Sequence, residues 1–232
     1  MAFAYWLVSA FLTLRSVVLG YLLGTGTYDA TFFTYINYGI LTLSMALLLL
    51  SMWHIPAYEL WVLFVLPLVW GTTVFVALAI VVIVQLNDGV FLKTTTQNHG
   101  TNSVATIHTG DWMLHQLPFV EILLIVLVLR PTAVVIFHNF WNEMRTPGRV
   151  GYVIYFHLSA LMLLAFYMIN VDYAVNYPSD LSAKAIWGLT VGLALLVELF
   201  LFGFFHVSNP DTTVVSTPTL RAHLTQGAGK TD

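Results

Sequence analysis

Long, nearly unbroken runs of apolar residues dominate this chain, and short polar breaks separate them. A helix that crosses a bilayer needs about 20 such residues. Runs of this length cover residues 4–23, 30–52, 59–86, 111–141, 150–170 and 185–207. They predict an all-α, polytopic transmembrane helical bundle of six spans over residues 1–208, with a flexible polar tail at 209–232. The first run has no basic start, and no clear cleavage site follows it before Tyr28, so it reads as a retained span rather than a signal peptide. The third run is the most apolar, and its length allows tilt or an interfacial start at Tyr58 and Trp61. The fourth contains Glu121 and the pair Arg130-Pro131, which predicts a kink at Pro131. Trp53, Trp61, Trp112, Trp141 and Trp187 fall near run ends, as interfacial aromatic belts do.

Composition strengthens this reading. Apolar residues make up 59% and charged residues 8%, against roughly 45–50% and about 25% in soluble domains. The absence of cysteine excludes disulfides, Cys-ligated zinc, iron–sulfur clusters and a thiol nucleophile. A net charge of -3 with 8 Lys+Arg argues against nucleic acid as a partner. The bilayer is the expected partner, with a lipid substrate within reach of a site at membrane depth. The sequence names no protein partner. Six spans place both termini on one side. That side carries Arg145, Arg149, Arg221 and Lys230, against Lys93 and Lys184 on the other, which favours cytoplasmic termini.

Charged groups in hydrocarbon are costly and mark interior or wet positions. Arg15, Arg130, His157 and Glu198 lie at similar depth, roughly 8–12 residues or ~12–18 Å from the inner ends of their spans. They are expected to form one buried charged network in which Glu198 pairs with Arg130 or Arg15. That network reads either as a structural tie or as part of a binding site. A second group opens the fourth span in the stretch HTGDWMLHQLPFVE. Asp111 and His115 are four apart and share a helix face, so Asp111 is placed to fix the tautomer of His115. Glu121 falls on a different face and needs its own partner.

Thr34, in the stretch TFFTYIN that opens the second span, sits at a depth comparable to His115. A hydroxyl beside a base held by a third group is the requirement for nucleophilic catalysis. Thr34, His115 and Asp111 are the catalytic candidates, with Asn37 or Gln116 as oxyanion or polar support. The bland alternative is strong, because a span threonine usually bonds the carbonyl four residues back. His138 and His157 lack the paired pattern of bis-histidine haem. His54, His138 and His206 lack metal-site spacing. No cofactor and no metal is expected.

Four stretches resemble those of the androgen-induced gene 1 / FAR-17a-like membrane proteins. FTYIN, residues 33–37, resembles the Phe/Leu-Thr-Phe-Ile-Asp segment of that family. HQLPFVEILL, from His115, resembles its His, Leu-Pro-Phe, acidic-residue pattern, and NVDYAVNYP, residues 170–178, is similar to its Tyr-Pro ending. VELFLFG, residues 197–203, is similar to a leucine-rich stretch with one glutamate. The resemblance implies six spans, cytoplasmic termini, and hydrolysis of fatty acid esters of hydroxy fatty acids by an intramembrane threonine and histidine. It implies Thr34 as the nucleophile. The histidine departs from the pattern. Animal members carry it five residues before the proline, where this chain has Met113, whereas His115 lies three before Pro118. Two other classes stay open: a transporter or channel using the buried Arg, His and Glu groups, and a non-enzymatic subunit of a membrane complex.

Overall fold

A computed structural model of the chain describes residues 2–28, 33–81, 112–170 and 181–206. Every regular element among them is helical: α1 (Ala2–Gly24), α2 (Phe33–Ser51), α3 (Ile55–Leu60), α4 (Leu66–Val81), α5 (Leu117–Glu143), α6 (Thr146–Asn170) and α7 (Leu181–His206). A π-helical turn, Trp61–Val65, joins α3 to α4, and another, Trp112–Gln116, opens α5. Five stretches are long and apolar enough to cross a membrane: Ala2–Gly24, Phe33–Ser51, Ile55–Leu78, Leu114–Glu143 and Thr146–Phe166. The sixth long helix, α7, carries the shorter apolar run Val191–Phe205. The protein is an all-helical membrane bundle. Asp111, the polar segment 87–110 and the tail 209–232 lie outside the described residues.

The third span is the central post. α4 packs against α2, α5, α6 and α7, and Leu66, Val69, Trp70, Gly71, Thr72, Thr73, Val74, Phe75, Val76 and Ala77 are all buried. A helix apolar on all sides has no face to offer water, so it takes the middle. Its small residues let neighbours approach closely. A methyl group on Gly71 would lie 2.0 Å from Glu198 Oε1 and 2.6 Å from Ala160 Cβ, so only glycine allows α6 and α7 this near. The outer helices are apolar on the outside too. Phe3, Trp6, Val17, Leu50, Met162, Phe166, Leu196 and Phe200 are exposed, a surface that suits lipid and not water.

Prolines shape both π turns. Pro67 has no amide to return to the Leu63 carbonyl, and the Leu66 amide reaches back five residues to Trp61. Tyr152 from α6 donates its hydroxyl to the Leu63 carbonyl at 2.9 Å, and Tyr155 donates to the Phe64 carbonyl. A Tyr152→Phe change strands a buried carbonyl. It should cost about 1–3 kcal/mol, read as a lowered thermal midpoint in detergent. At Pro131, where a kink is expected from sequence, α5 continues as one helix from Leu117 to Glu143. α1 ends at Gly24, and Gly26 then turns at φ 70, which glycine adopts without strain. The amides of Thr27 and Tyr28 both return to the Leu22 carbonyl.

Candidate functional site

Thr34 begins the first turn of α2, and His115 lies in the π turn that opens α5. Their reactive atoms meet: Thr34 Oγ1 is 3.2 Å from His115 Nε2. Both residues are half-buried. Pro118 explains the local geometry. It cannot donate to the Leu114 carbonyl, and the wider π turn that precedes it carries His115 toward α2. The departure in histidine spacing noted above falls on this turn.

Several other span hydroxyls behave differently. Thr42, Ser44, Ser51, Thr72 and Thr132 each donate to a carbonyl three or four residues back in their own helix. Thr34 faces a base on another helix. Thr73 also reaches another helix, donating to Asn37 Oδ1 at 3.4 Å.

Asn37 lies one turn below Thr34 on α2 and is fully buried. Its Oδ1 is held by Thr73, and its Nδ2 has no hydrogen-bond partner among the described residues. A buried amide donor without a partner is rare and calls for an explanation. Gln116 is committed differently, because its Nε2 donates to the Ala77 carbonyl at 3.1 Å and so anchors the π turn to α4. Of the two residues proposed for polar support, Asn37 is the one whose amide nitrogen has no hydrogen-bond partner among the described residues. The position of Asp111, the third member of the expected triad, lies outside the described residues.

The expected single network of Arg15, Arg130, His157 and Glu198 is corrected by the structure, which divides it into three. Arg15 pairs with Glu121, its Nε donating to Oε2 at 2.5 Å, with both side chains 1% exposed. The guanidinium also lies over the Tyr38 ring, 4.5 Å from its centroid. The partner is Glu121 because α1 packs on α2 and α5. Counted from the opposite membrane side, Arg15 is nine residues from Gly24 and Glu121 nine from Trp112, so their depths match. Arg130 is exposed and sits over the Phe204 ring at 4.5 Å. His157 and Glu198 share a cavity with Phe33, Gly71, Phe75, Ala160 and Ala194. There Glu198 Oε1, Glu198 Oε2 and His157 Nδ1 are buried with no hydrogen-bond partner among the described residues.

Sequence reasoning missed the Arg15–Glu121 pair, the Tyr38 platform, the Thr73–Asn37 contact and the Gly71 gap. A lone glycine between Trp70 and Thr72 in the most apolar span was the available signal for the last. No group of three or more His, Cys, Asp or Glu side chains that could hold a metal occurs among the described residues. No family model, curated protein or solved structure matches the chain.

Proposed function

We propose that the chain is an intramembrane hydrolase of lipid esters, with Thr34 as nucleophile and His115 as general base. The observation that carries this reading is the 3.2 Å approach of Thr34 Oγ1 to His115 Nε2 across two helices. That distance lies at the outer limit of hydrogen-bond reach for a base and the proton it removes. The unused Asn37 amide one turn away supports it.

In the proposed cycle, His115 Nε2 takes the hydroxyl proton as Thr34 Oγ1 attacks the ester carbonyl. The carbonyl oxygen becomes an oxyanion, and Asn37 Nδ2 is the available donor to it. The intermediate collapses, and the departing alkoxide takes the proton from His115 and leaves as the alcohol. Water then gives a proton to His115 and attacks the acyl-threonine, which releases the fatty acid and restores Thr34. Asp111, one helical turn before His115 in sequence, is the proposed partner of the imidazolium. The apolar surroundings favour substrates with long chains, whose burial contributes about 0.8 kcal/mol per methylene. Fatty acid esters of hydroxy fatty acids are the class the family resemblance implies. The basic residues flanking the spans support cytoplasmic termini.

The transport reading draws on one buried path through Arg15, Arg130, His157 and Glu198. Those residues occupy three separate environments, which favours the hydrolase. The test is labelling of the purified chain with a lipid-like serine/threonine-hydrolase probe, followed by peptide mapping. Adduct on Thr34, absent in Thr34→Ala and His115→Ala, is expected. An unlabelled Thr34, beside an intramembrane threonine hydrolase that does react, would overturn the mechanism.

A further inference from the structure

We propose that the cavity between α4, α6 and α7 binds the primary ammonium group of a lipophilic amine, with Glu198 and His157 as its acceptors. Glu198 is 2% exposed, lines this cavity, and neither carboxyl oxygen has a hydrogen-bond partner among the described residues. His157 lines the same cavity, and its Nδ1 is buried and equally unpartnered. A buried carboxyl at membrane depth, left without a partner, is costly and marks a functional position.

Among the described residues, the two arginines at membrane depth have other contacts. Arg15 is bonded to Glu121, and Arg130 rests on the Phe204 ring. Among the described residues Glu198 has no hydrogen-bonded counter-ion, and in this proposal a ligand supplies it. The two lining side chains hold three buried acceptor atoms without a hydrogen-bond partner among the described residues, and a primary ammonium has three N–H donors. A hydroxyl has one donor and leaves two acceptors unmet. His157 takes part as the neutral ring with its proton on Nε2, so that Nδ1 accepts.

The rest of the lining is apolar. Leu161 and Leu195 are its half-exposed apolar members, on the two helices that face lipid at this level. They fit a ligand whose polar head is small and whose tail lies among acyl chains. Charge balances on binding: a free amine takes the carboxyl proton of Glu198 and leaves the same neutral pair as an ammonium meeting a carboxylate. No net charge enters the bilayer. The site is independent of the Thr34 chemistry, and each stands if the other fails.

The experiment uses the full chain in lipid nanodiscs and a hexadecylamine probe that carries a photoreactive diazirine and an alkyne. The matched N-acetyl amide and primary alcohol probes run beside it. The amine is expected to label peptides of α6 and α7, and excess unlabelled hexadecylamine should compete while hexadecanol does not. Glu198→Gln keeps the shape, loses the charge, and should cut labelling about tenfold, the loss of one charge-assisted hydrogen bond. Its thermal midpoint is measured alongside. Equal labelling by all three probes, competition by the alcohol, or unchanged labelling in a folded Glu198→Gln protein overturns the proposal. The wild-type competition decides the matter if that variant does not fold.

Discussion

Replacing Thr34 by Ala is expected to abolish ester hydrolysis while the bundle stays folded. Removing a nucleophile from a nucleophile–base pair has cost roughly 10⁴–10⁶-fold in hydrolases where it was measured, because no other group can form the acyl intermediate. A fall of at least ~10³-fold in turnover of a long-chain ester is the expected outcome. His115→Ala should fall by a comparable factor, since the two side chains act as one unit. The double variant should then be little worse than either single one. Stability should move by about 0.5 kcal/mol or less for Thr34→Ala, because the hydroxyl is half-buried and its contact is to His115 rather than to a structural carbonyl. Turnover of Thr34→Ala within tenfold of wild type would remove Thr34 from the chemistry. Asn37→Ala separates the roles further. It should lower the turnover number by about 10²-fold with a smaller change in KM, as loss of an oxyanion donor does. Stability is the control here, because Asn37 also accepts from Thr73.

What was legible in the sequence follows from what hydropathy encodes. Length and apolarity mark a span whatever its neighbours are, so the helices and the high apolarity of the third span could be read directly, while its central place could not. Depth along a span was legible as well, and it placed Thr34 level with His115. Adjacency was not. Depth measured from one membrane face put Arg15 with Glu198, and the same residue counted from the other face lies level with Glu121. An arginine side chain is long enough to serve either reading, and only the packing of α1 against α5 decides. The π turn before Pro118 was hidden for a different reason. A proline in the first turn of a helix is ordinarily harmless, because its missing amide would be unsatisfied anyway. Here its effect falls on the preceding turn, where it swings His115 toward α2. A strict 3.6-residue period cannot show such a local change. The same blind spot covers Trp61–Val65, where Pro67 leaves carbonyls that Tyr152 and Tyr155 meet from α6.

Breaking the Arg15–Glu121 pair on one side only should destabilise the protein more than any surface change. Both side chains are 1% exposed, so a lone Arg15 keeps a charge that its surroundings cannot solvate, while a lone Glu121 takes up a proton and stays as a buried, poorly bonded carboxyl. Arg15→Met strands Glu121, and Glu121→Leu strands Arg15, which then keeps the Tyr38 ring as its electrostatic partner among the described residues. Each single change should cost about 3–5 kcal/mol, the range for buried pairs cut on one side. The stranded carboxyl neutralises by taking a proton and the guanidinium cannot, so Glu121→Leu is expected to be the worse of the two, even though the cation–π contact offsets up to ~2 kcal/mol for the stranded arginine. The double variant Arg15→Met/Glu121→Leu removes both charges and should recover most of the loss. Arg15 Nη1, Arg15 Nη2 and Glu121 Oε1 already have no hydrogen-bond partner among the described residues, so the pair's remaining polar atoms are poorly compensated even in the wild type. Thermal midpoints of the four proteins in one detergent give the cycle. A purely additive outcome, with the double variant as unstable as the two losses combined, would mean that the two charges do not depend on each other. The structural consequence then reaches the candidate site, because Glu121 lies six residues after His115 on the helix that must hold that imidazole against Thr34. A stranded Glu121 should therefore lower probe labelling of Thr34, and the double variant should bring the labelling back.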